Sequence, residues 1–224
     1  MGDADPRVDA PRHQPPPGDA GPGPALAPVT LRGRWVRLEP LGMADVTRLL
    51  PVASDPELWR LTREDASTPD GLAAYVERAL ASQAQGTALP FVIVEQATGA
   101  TVGSTRFGNY EPGDRRIEIG WTWVGRAWQR SAVNTEAKLL LLTHAFETLG
   151  LRRVELKTDV LNERSRRAIL RLGATQEGIF REHMVTMAGR VRDSVWFSIL
   201  AREWDVVKAR LTAMLAAHET GGAA

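Results

Sequence analysis

The chemistry this chain can perform is concentrated between residues 118 and 165. Strand-like residues end near Val124, a short loop of small side chains spans Gln129 to Asn134, and a helical pattern follows. Such a loop directs main-chain N–H groups at one point at the positive end of a helix, which suits an anion such as a pyrophosphate. Any strand-to-helix turn frees some N–H groups, so a plain connecting turn stays open as the alternative. Glu118 lies eleven residues before Gln129 on a strand-like segment, where a half-exposed carboxylate would pair with Arg115 or Arg116. Asn162 stands where a helix cap is expected, and Ser165 falls in the first turn behind it. His13, His144, His183 and His218 are scattered, and no histidine or carboxylate pair has metal-ligand spacing.

Whole-chain arithmetic narrows the classes. With 224 residues the chain can bury the core of one catalytic-size domain. Lys and Arg number 28 against 27 Asp and Glu, so the net charge of +1 provides no field to hold a nucleic-acid backbone. No cysteine is present, which excludes disulfides, thiolate metal sites and a cysteine-linked acyl intermediate. Met1 to Asp9 carries three Asp and one Arg before any apolar stretch, unlike a secretory leader. The longest aliphatic run, Leu139 to Leu142, is far too short to span a membrane. The expectation is a soluble, cytoplasmic protein with neither nucleic-acid nor membrane partners.

The elements that must position these residues are legible in outline. Residues 1–28 hold eight of the 14 prolines and read as a disordered arm; residues 29–215 read as one domain and 216–224 as a flexible tail. A first strand is expected over Val29 to Leu38, a helix over Met43 to Leu50, a turn at Ser54 to Pro56, and a helix capped by Thr68 with Pro69 at its first position. Three antiparallel strands follow, Leu89 to Glu95, Thr101 to Tyr110 and Arg116 to Val124. A helix over Thr135 to Leu149 stops at Gly150, and a strand runs from Arg153 to Val160. A helix from Asn162 to Leu172 stops at Gly173. A hairpin of Ile179 to Met187 and Val191 to Leu200 precedes a closing helix through Trp204, Val207 and Leu211. The order is that of a mixed α/β fold with one parallel crossover in its second half.

The spacing Gln129-x-x-Ala132-x-Asn134 resembles the acyl-CoA pyrophosphate loop of the GNAT N-acetyltransferase superfamily. The run Trp128-Gln-Arg-Ser-Ala-Val-Asn-Thr-Glu-Ala-Lys138 is similar to the branch that includes the ribosomal-protein N-terminal acetyltransferases. Asn162-Glu-Arg-Ser165, Leu172-Gly173-Ala174, Glu177-Gly178 and the terminal hairpin extend the likeness over residues 29–211. The family's usual first glycine is Ala132 here, its second small residue is Asn134, and its frequent tyrosine, seven residues after Asn162, is Ile169.

The resemblance implies a mostly antiparallel mixed sheet of about seven strands flanked by helices and splayed between the fourth and fifth strands, those ending at Val124 and running from Arg153. It implies that Gln129, Arg130, Ser131, Ala132, Val133, Asn134 and Thr135 hold the diphosphate of acetyl-CoA, the acyl donor. The pantetheine arm would lie in the splay against backbone at Trp121, Thr122 and Trp123 and against Asn162. Glu118 is the implied general base, acting directly or through water, and Ser165 a candidate proton donor to the departing sulfur. The Trp121, Trp123 and Trp128 side chains fit packing better than substrate contact. Arginines 164, 166, 167 and 171 could meet adenosine phosphates, and Glu182 and His183 could meet an incoming amine, though ordinary solvated surface accounts for each.

The function this implies is direct acetyl transfer from acetyl-CoA to a primary amine, first a protein or peptide N-terminal α-amine. Small amines such as polyamines, amino acids or aminoglycosides are the alternative. A non-catalytic acyl-CoA-binding regulator and an interaction module presenting Trp59 or Trp204 are the readings from other classes. A homodimer is left open, since no symmetric interface signature is visible.

Overall fold

The computed structural model describes residues 21–221, which build one eight-stranded sheet between two helical layers. The strands are β1 (Leu31–Arg32), β2 (Val36–Pro40), β3 (Leu89–Glu95), β4 (Thr101–Glu111), β5 (Arg116–Val124), β6 (Arg153–Asp159), β7 (Thr175–Val185) and β8 (Val191–Leu200). The helices are α1 (Asp45–Ala53), α2 (Pro69–Ala84), α3 (Ala132–Thr143), α4 (Glu163–Leu172) and α5 (Trp204–Gly221). The sheet order is β1-β2-β3-β4-β5-β6-β8-β7, antiparallel throughout except for the parallel pair β5–β6.

Eight strands replace the expected seven because Val29 to Leu38 is not continuous. The Glu136 carboxylate accepts from the backbone N–H groups of Arg34 (2.8 Å), Trp35 (2.6 Å) and Val36 (2.6 Å), which wraps the chain into a turn between β1 and β2. Gly33 permits it, since a Cβ there would collide with that carboxylate. A distant helical residue thus sets this break, and locally only Gly33 hints at it.

Helix boundaries follow their caps. Thr68 Oγ1 accepts from Gly71 N (3.1 Å) to open α2, whose Leu72, Tyr75, Val76 and Ala79 form the buried stripe that the three-and-four spacing predicts. α3 opens three residues earlier than expected because Ser131 is its cap, and it ends in a wide turn over His144–Thr148 before Gly150 at φ +58°. Gly173, at φ +107°, stops α4 as expected. α1 runs to Ala53, past Leu50, and a single helical turn at Pro56–Leu58 stands where a plain turn was expected. β7 begins at Thr175, earlier than Ile179.

Both faces of the sheet are covered. α3 and α5 enclose a core with Phe91, Phe107, Ile117, Leu141, Val154 and Phe197; α1 and α2 enclose a smaller one with Leu49, Trp59, Tyr75, Val92 and Trp123. Trp59 and Trp204, one of which the interaction-module alternative required to be exposed, are buried members of these cores. Residues 21–28, expected within the arm, lie against the domain: Gly23 N donates to Pro112 O (2.7 Å) and Tyr110 Oη to Pro24 O (2.7 Å). Residues 1–20 and 222–224 fall outside the described residues, and α5 continues through the 216–221 segment expected as tail.

Candidate active site

The parallel ladder between β5 and β6 lasts for three pairs, Arg116–Arg153, Ile117–Val154 and Glu118–Glu155. Beyond Glu118 the two strands part. Residues 119–124 of β5 pair only with β4, and 156–159 of β6 only with β8. On the β4 side, Arg106 faces Gly120 and Ser104 faces Trp123, so three steps on β5 match two on β4. This is a β-bulge at Trp121, whose φ of +50° is left-handed and costly for a bulky residue. Tyr75 Oη donates to Trp121 O (3.2 Å) and holds the bulge from the α1/α2 side. The edge of β5 at Trp121, Thr122 and Trp123 is therefore left facing an opening with no strand partner, the arrangement into which an extended ligand can pair.

Glu118 sits at the vertex of that opening with 2% exposure. It does not pair with Arg115 or Arg116. Its Oε2 accepts from Lys157 Nζ (2.7 Å) and Asn109 Nδ2 (2.8 Å), and a Cβ at Gly120 would lie 2.8 Å from Oε1. Arg116 instead meets Glu155 (3.5 Å) and Asp114 (3.4 Å). One carboxylate oxygen is thus committed to an ion pair and the other is lodged against main chain bare of a side chain.

Because β5 and β6 run parallel, the helices that follow them start at the same end of the sheet. Ser131 caps α3: its Oγ accepts from Val133 N (3.3 Å) and donates to Trp128 O (2.6 Å). Ala132 and Asn134 also lie in the first turn of α3, where N–H groups have no carbonyl one turn back to bond. Val133 and Thr135 point their side chains into protein, Val133 into the core and Thr135 Oγ1 accepting from Arg171 Nη2 (3.3 Å). Arg130 reaches the turn at φ +64°. Gln129 Nε2 donates to Val124 O (2.8 Å) and its Oε1 accepts from Arg164 Nη1 (2.6 Å), so α4 is tied to the loop across the opening. Asn162 caps α4 by accepting from Ser165 N (3.0 Å), which puts Ser165 in the first turn of that helix.

Lys138 lies behind the bulge with 5% exposure. Its Nζ donates to Thr122 Oγ1 (2.5 Å) and lies 3.5 Å from Thr105 Oγ1, and Thr105 and Thr122 share a 2.8 Å hydrogen bond. Burial pushes the Lys138 ammonium down to about 7. On the other face an aromatic wall leads away from Glu118. Lys157 Nζ stands 4.8 Å from the Trp196 ring centroid, Trp196 stacks on Phe180 at 4.6 Å, and His183 meets Trp196 edge-on at 5.2 Å. Burial chiefly, then the charges of Lys157 and Arg192, hold the His183 pKa below its ordinary value. Phe180, Arg181, Glu182 and His183 line a concavity here, and Met187 N donates to Arg63 O (3.0 Å), linking the hairpin tip to the loop before α2.

Sequence reasoning located the loop, the caps and Glu118 but missed Lys157, Asn109, Lys138 and Arg106. Lys157 shares one face of β6 with Glu155 and Asp159, and alternation along the strand marks it only as a polar position. Lys138 falls between Ala137 and Leu139 on a helix buried beneath the sheet, where an isolated cation calls for a partner. The Trp side chains pack as expected: Trp123 in the α1/α2 core, Trp128 against the α3/α5 core, and Trp121 against Gly108 and Arg106.

Comparison with known proteins meets this geometry. A GCN5-related N-acetyltransferase from Brucella melitensis superposes with a TM-score of 0.81 at 33% identity, covering 88% of this chain and 90% of that one. RimJ of Mycobacterium smegmatis, solved in complex with CoA-disulfide, superposes at 0.71 with 25% identity over 84% of this chain and 95% of its own. YdaF of Bacillus subtilis (strain 168), which carries the provisional name of a ribosomal N-acetyltransferase, is 35% identical over 107 residues. That match takes in 48% of this chain and 57% of the relative, so the chain spans little more than half of that curated relative's length. Residues 36–175, well over half of the sequence and the part that holds the opening, match the acetyltransferase (GNAT) domain, and the chain belongs to that family.

Proposed function

We propose that this protein transfers an acetyl group from acetyl-CoA directly to a primary amine, and that its acceptor is the α-amine of a protein or peptide N-terminus. The observation that carries the reading is the meeting of three features at one place: a sheet opened beyond Glu118, a capped helix start at Ser131 beside it, and a buried carboxylate at the vertex. The diphosphate of acetyl-CoA fits the first-turn N–H groups of α3 within Gln129 to Thr135, and its pantetheine arm fits the free edge at Trp121 to Trp123, with Asn162 across from it. Main-chain donors at the bulge then face the thioester oxygen as negative charge develops there.

In the step itself the amine nitrogen forms a bond to the thioester carbon and the carbon–sulfur bond breaks. The amine proton passes to Glu118, directly or through a water, and the thiolate leaves with a proton from Ser165 or from solvent. An α-amine, with a pKa of roughly 7.7–8.0, is partly neutral at neutral pH, whereas a lysine side chain near 10.4 is almost wholly protonated. The α-amine therefore needs less help from a base than a lysine side chain does. The name of YdaF, that of a ribosomal N-acetyltransferase, points to a protein acceptor. The test is incubation with acetyl-CoA and a panel of peptide and small amines, with thiol release and product mass recorded. The reading requires peptide α-amines to be acetylated fastest. Small amines outpacing them would move the protein to the other acceptor class, and acetyl-CoA binding without any product would make it a regulator.

A further inference from the structure

Among the described residues Arg106 has no hydrogen-bond or carboxylate partner, although only 4% of its surface is exposed. Its Nε and Nη2 are buried without a hydrogen-bond acceptor. The other buried charges at this end of the sheet are served. Glu118 has Lys157 and Asn109, Glu136 has three main-chain N–H groups, and Asp159 has Arg190 and Arg192. A guanidinium cannot discharge itself by losing its proton, so leaving its donors unpaired in the interior is costly.

The fold nevertheless encloses this cation with care. The guanidinium carbon lies 5.2 Å from the Tyr75 ring centroid and 4.8 Å from that of Trp121. Aromatic faces satisfy the flat sides of the group and leave its in-plane donors unanswered. Trp121 reaches this position through its left-handed φ, and Gly108 makes room, since a Cβ there would collide with the indole. Thr105 and Phe107 face α3, so Arg106 projects to the α1/α2 side together with Glu118. The pairings Arg106–Gly120 and Gly108–Glu118 make Arg106 and Glu118 diagonal neighbours across β4 and β5, a relationship that typically spans about 7 Å.

We infer that Arg106 binds the acceptor through the carbonyl or carboxylate oxygen that lies next to its reacting amine. The inference rests on the proposed reading of Glu118 as the group that takes the proton of the acceptor's amine. An amine poised on Glu118 whose own carbon carries a carbonyl or carboxylate group brings an sp² oxygen to the side of the sheet on which the unpaired Arg106 guanidinium lies. Two sources share this chemistry, the first residue of a peptide and a free α-amino acid. Polyamines, aminoglycosides and lysine side chains lack an sp² oxygen at that distance, and the first two bring added positive charge, which Arg106 repels. Arg106 is thus an acceptor-binding and specificity-determining residue.

The experiment compares the wild-type protein with Arg106→Met and Arg106→Lys on four acceptors: an alanine-first peptide, free alanine, propylamine and spermidine. Acetyl-CoA affinity and the thermal midpoint serve as the check that each variant is folded. In the wild type, kcat/KM for the peptide or for alanine should exceed that for propylamine by about 100-fold or more, and Arg106→Met should reduce this ratio to within a few-fold of one. Arg106→Lys should restore part of it. The peptide and alanine arms distinguish a carbonyl from a carboxylate. A ratio that Arg106→Met leaves intact, with all acceptors falling together, overturns the inference and leaves Arg106 a packing residue. Calorimetric binding of the peptide and of alanine is read separately. Binding lost in Arg106→Met supports the site even if no acetyl transfer occurs, and binding equal in both proteins, or absent from the wild type, refutes it. Should Arg106→Met fail to fold, Tyr75→Phe and Trp121→Leu loosen the same enclosure, and either must lower the peptide-to-propylamine ratio.

Discussion

Lys157 Nζ and Glu118 Oε2 form a 2.7 Å ion pair at the last rung shared by β5 and β6, the point from which the opening begins. Both side chains are shielded, Glu118 almost fully. Removing the ammonium strands a carboxylate that retains only the Asn109 hydrogen bond. Lys157→Met should therefore cost about 3 kcal/mol of stability, and adding Glu118→Gln should return most of it. Urea midpoints of the two single variants and the double variant check this through their coupling.

Glu118→Gln keeps the shape of the vertex and removes its capacity to take a proton. Turnover of a peptide α-amine near neutral pH should fall by about 10²-fold while acetyl-CoA affinity is preserved. Steady-state rates across pH, together with titration of acetyl-CoA, separate the two quantities. An unchanged rate at every pH would remove Glu118 from the proton transfer.

Lys138 makes stability depend on pH in a stated direction. Its folded-state pKa is about 7, against roughly 10.4 in an unfolded chain. Between those values the unfolded chain holds a proton that the folded one does not, so the Lys138 contribution rises with pH through that window, by at most about 1.4 kcal/mol per unit. Below pH 7 both states are protonated and the burial cost is fully present. Wild-type stability measured against Lys138→Met should therefore improve from pH 7 to pH 10, a trend that denaturant titrations at stepped pH will register.

Glu136 answers three main-chain N–H groups at residues 34–36 from the fifth position of α3. Glu136→Ala leaves those donors unpaired and should cost about 3 kcal/mol. Gly33→Ala should also destabilise, since its new methyl must displace the carboxylate. Thermal midpoints rank the two, and both should loosen β1 in hydrogen exchange before the rest of the sheet.

The sequence made local features readable and distant couplings opaque. Thr68, Asn162, Gly150 and Gly173 act through their own helices, and the sequence located them because capping and left-handed stops are short-range chemistry. The bounds of β3 and β5 matched residue for residue, since the turn residues at Thr98–Gly99 and Glu111–Gly113 punctuate this stretch of strands. The divided first strand depends on Glu136, about a hundred residues away, and between Val29 and Leu38 only Gly33 hints at it. The same holds for the site. Glu118 and the loop were singled out through the family resemblance, but the ion pair with Lys157 arises from parallel register, and the isolation of Arg106 arises from what the folded chain withholds from it. Sequence marks a charge; it does not mark an absent counter-charge.

Three rungs join the five strands before the opening to the three after it, so the sheet is two half-sheets meeting at a short seam. A thioester donor lying along the free edges would add the rungs that the chain itself omits and would act as a removable strand of the fold. Saturating acetyl-CoA should then raise the melting temperature and slow amide exchange at residues 119–124 and 156–159 on both banks of the gap. Departure of the product would return the molecule to its looser form, and turnover and breathing of the seam would share one clock.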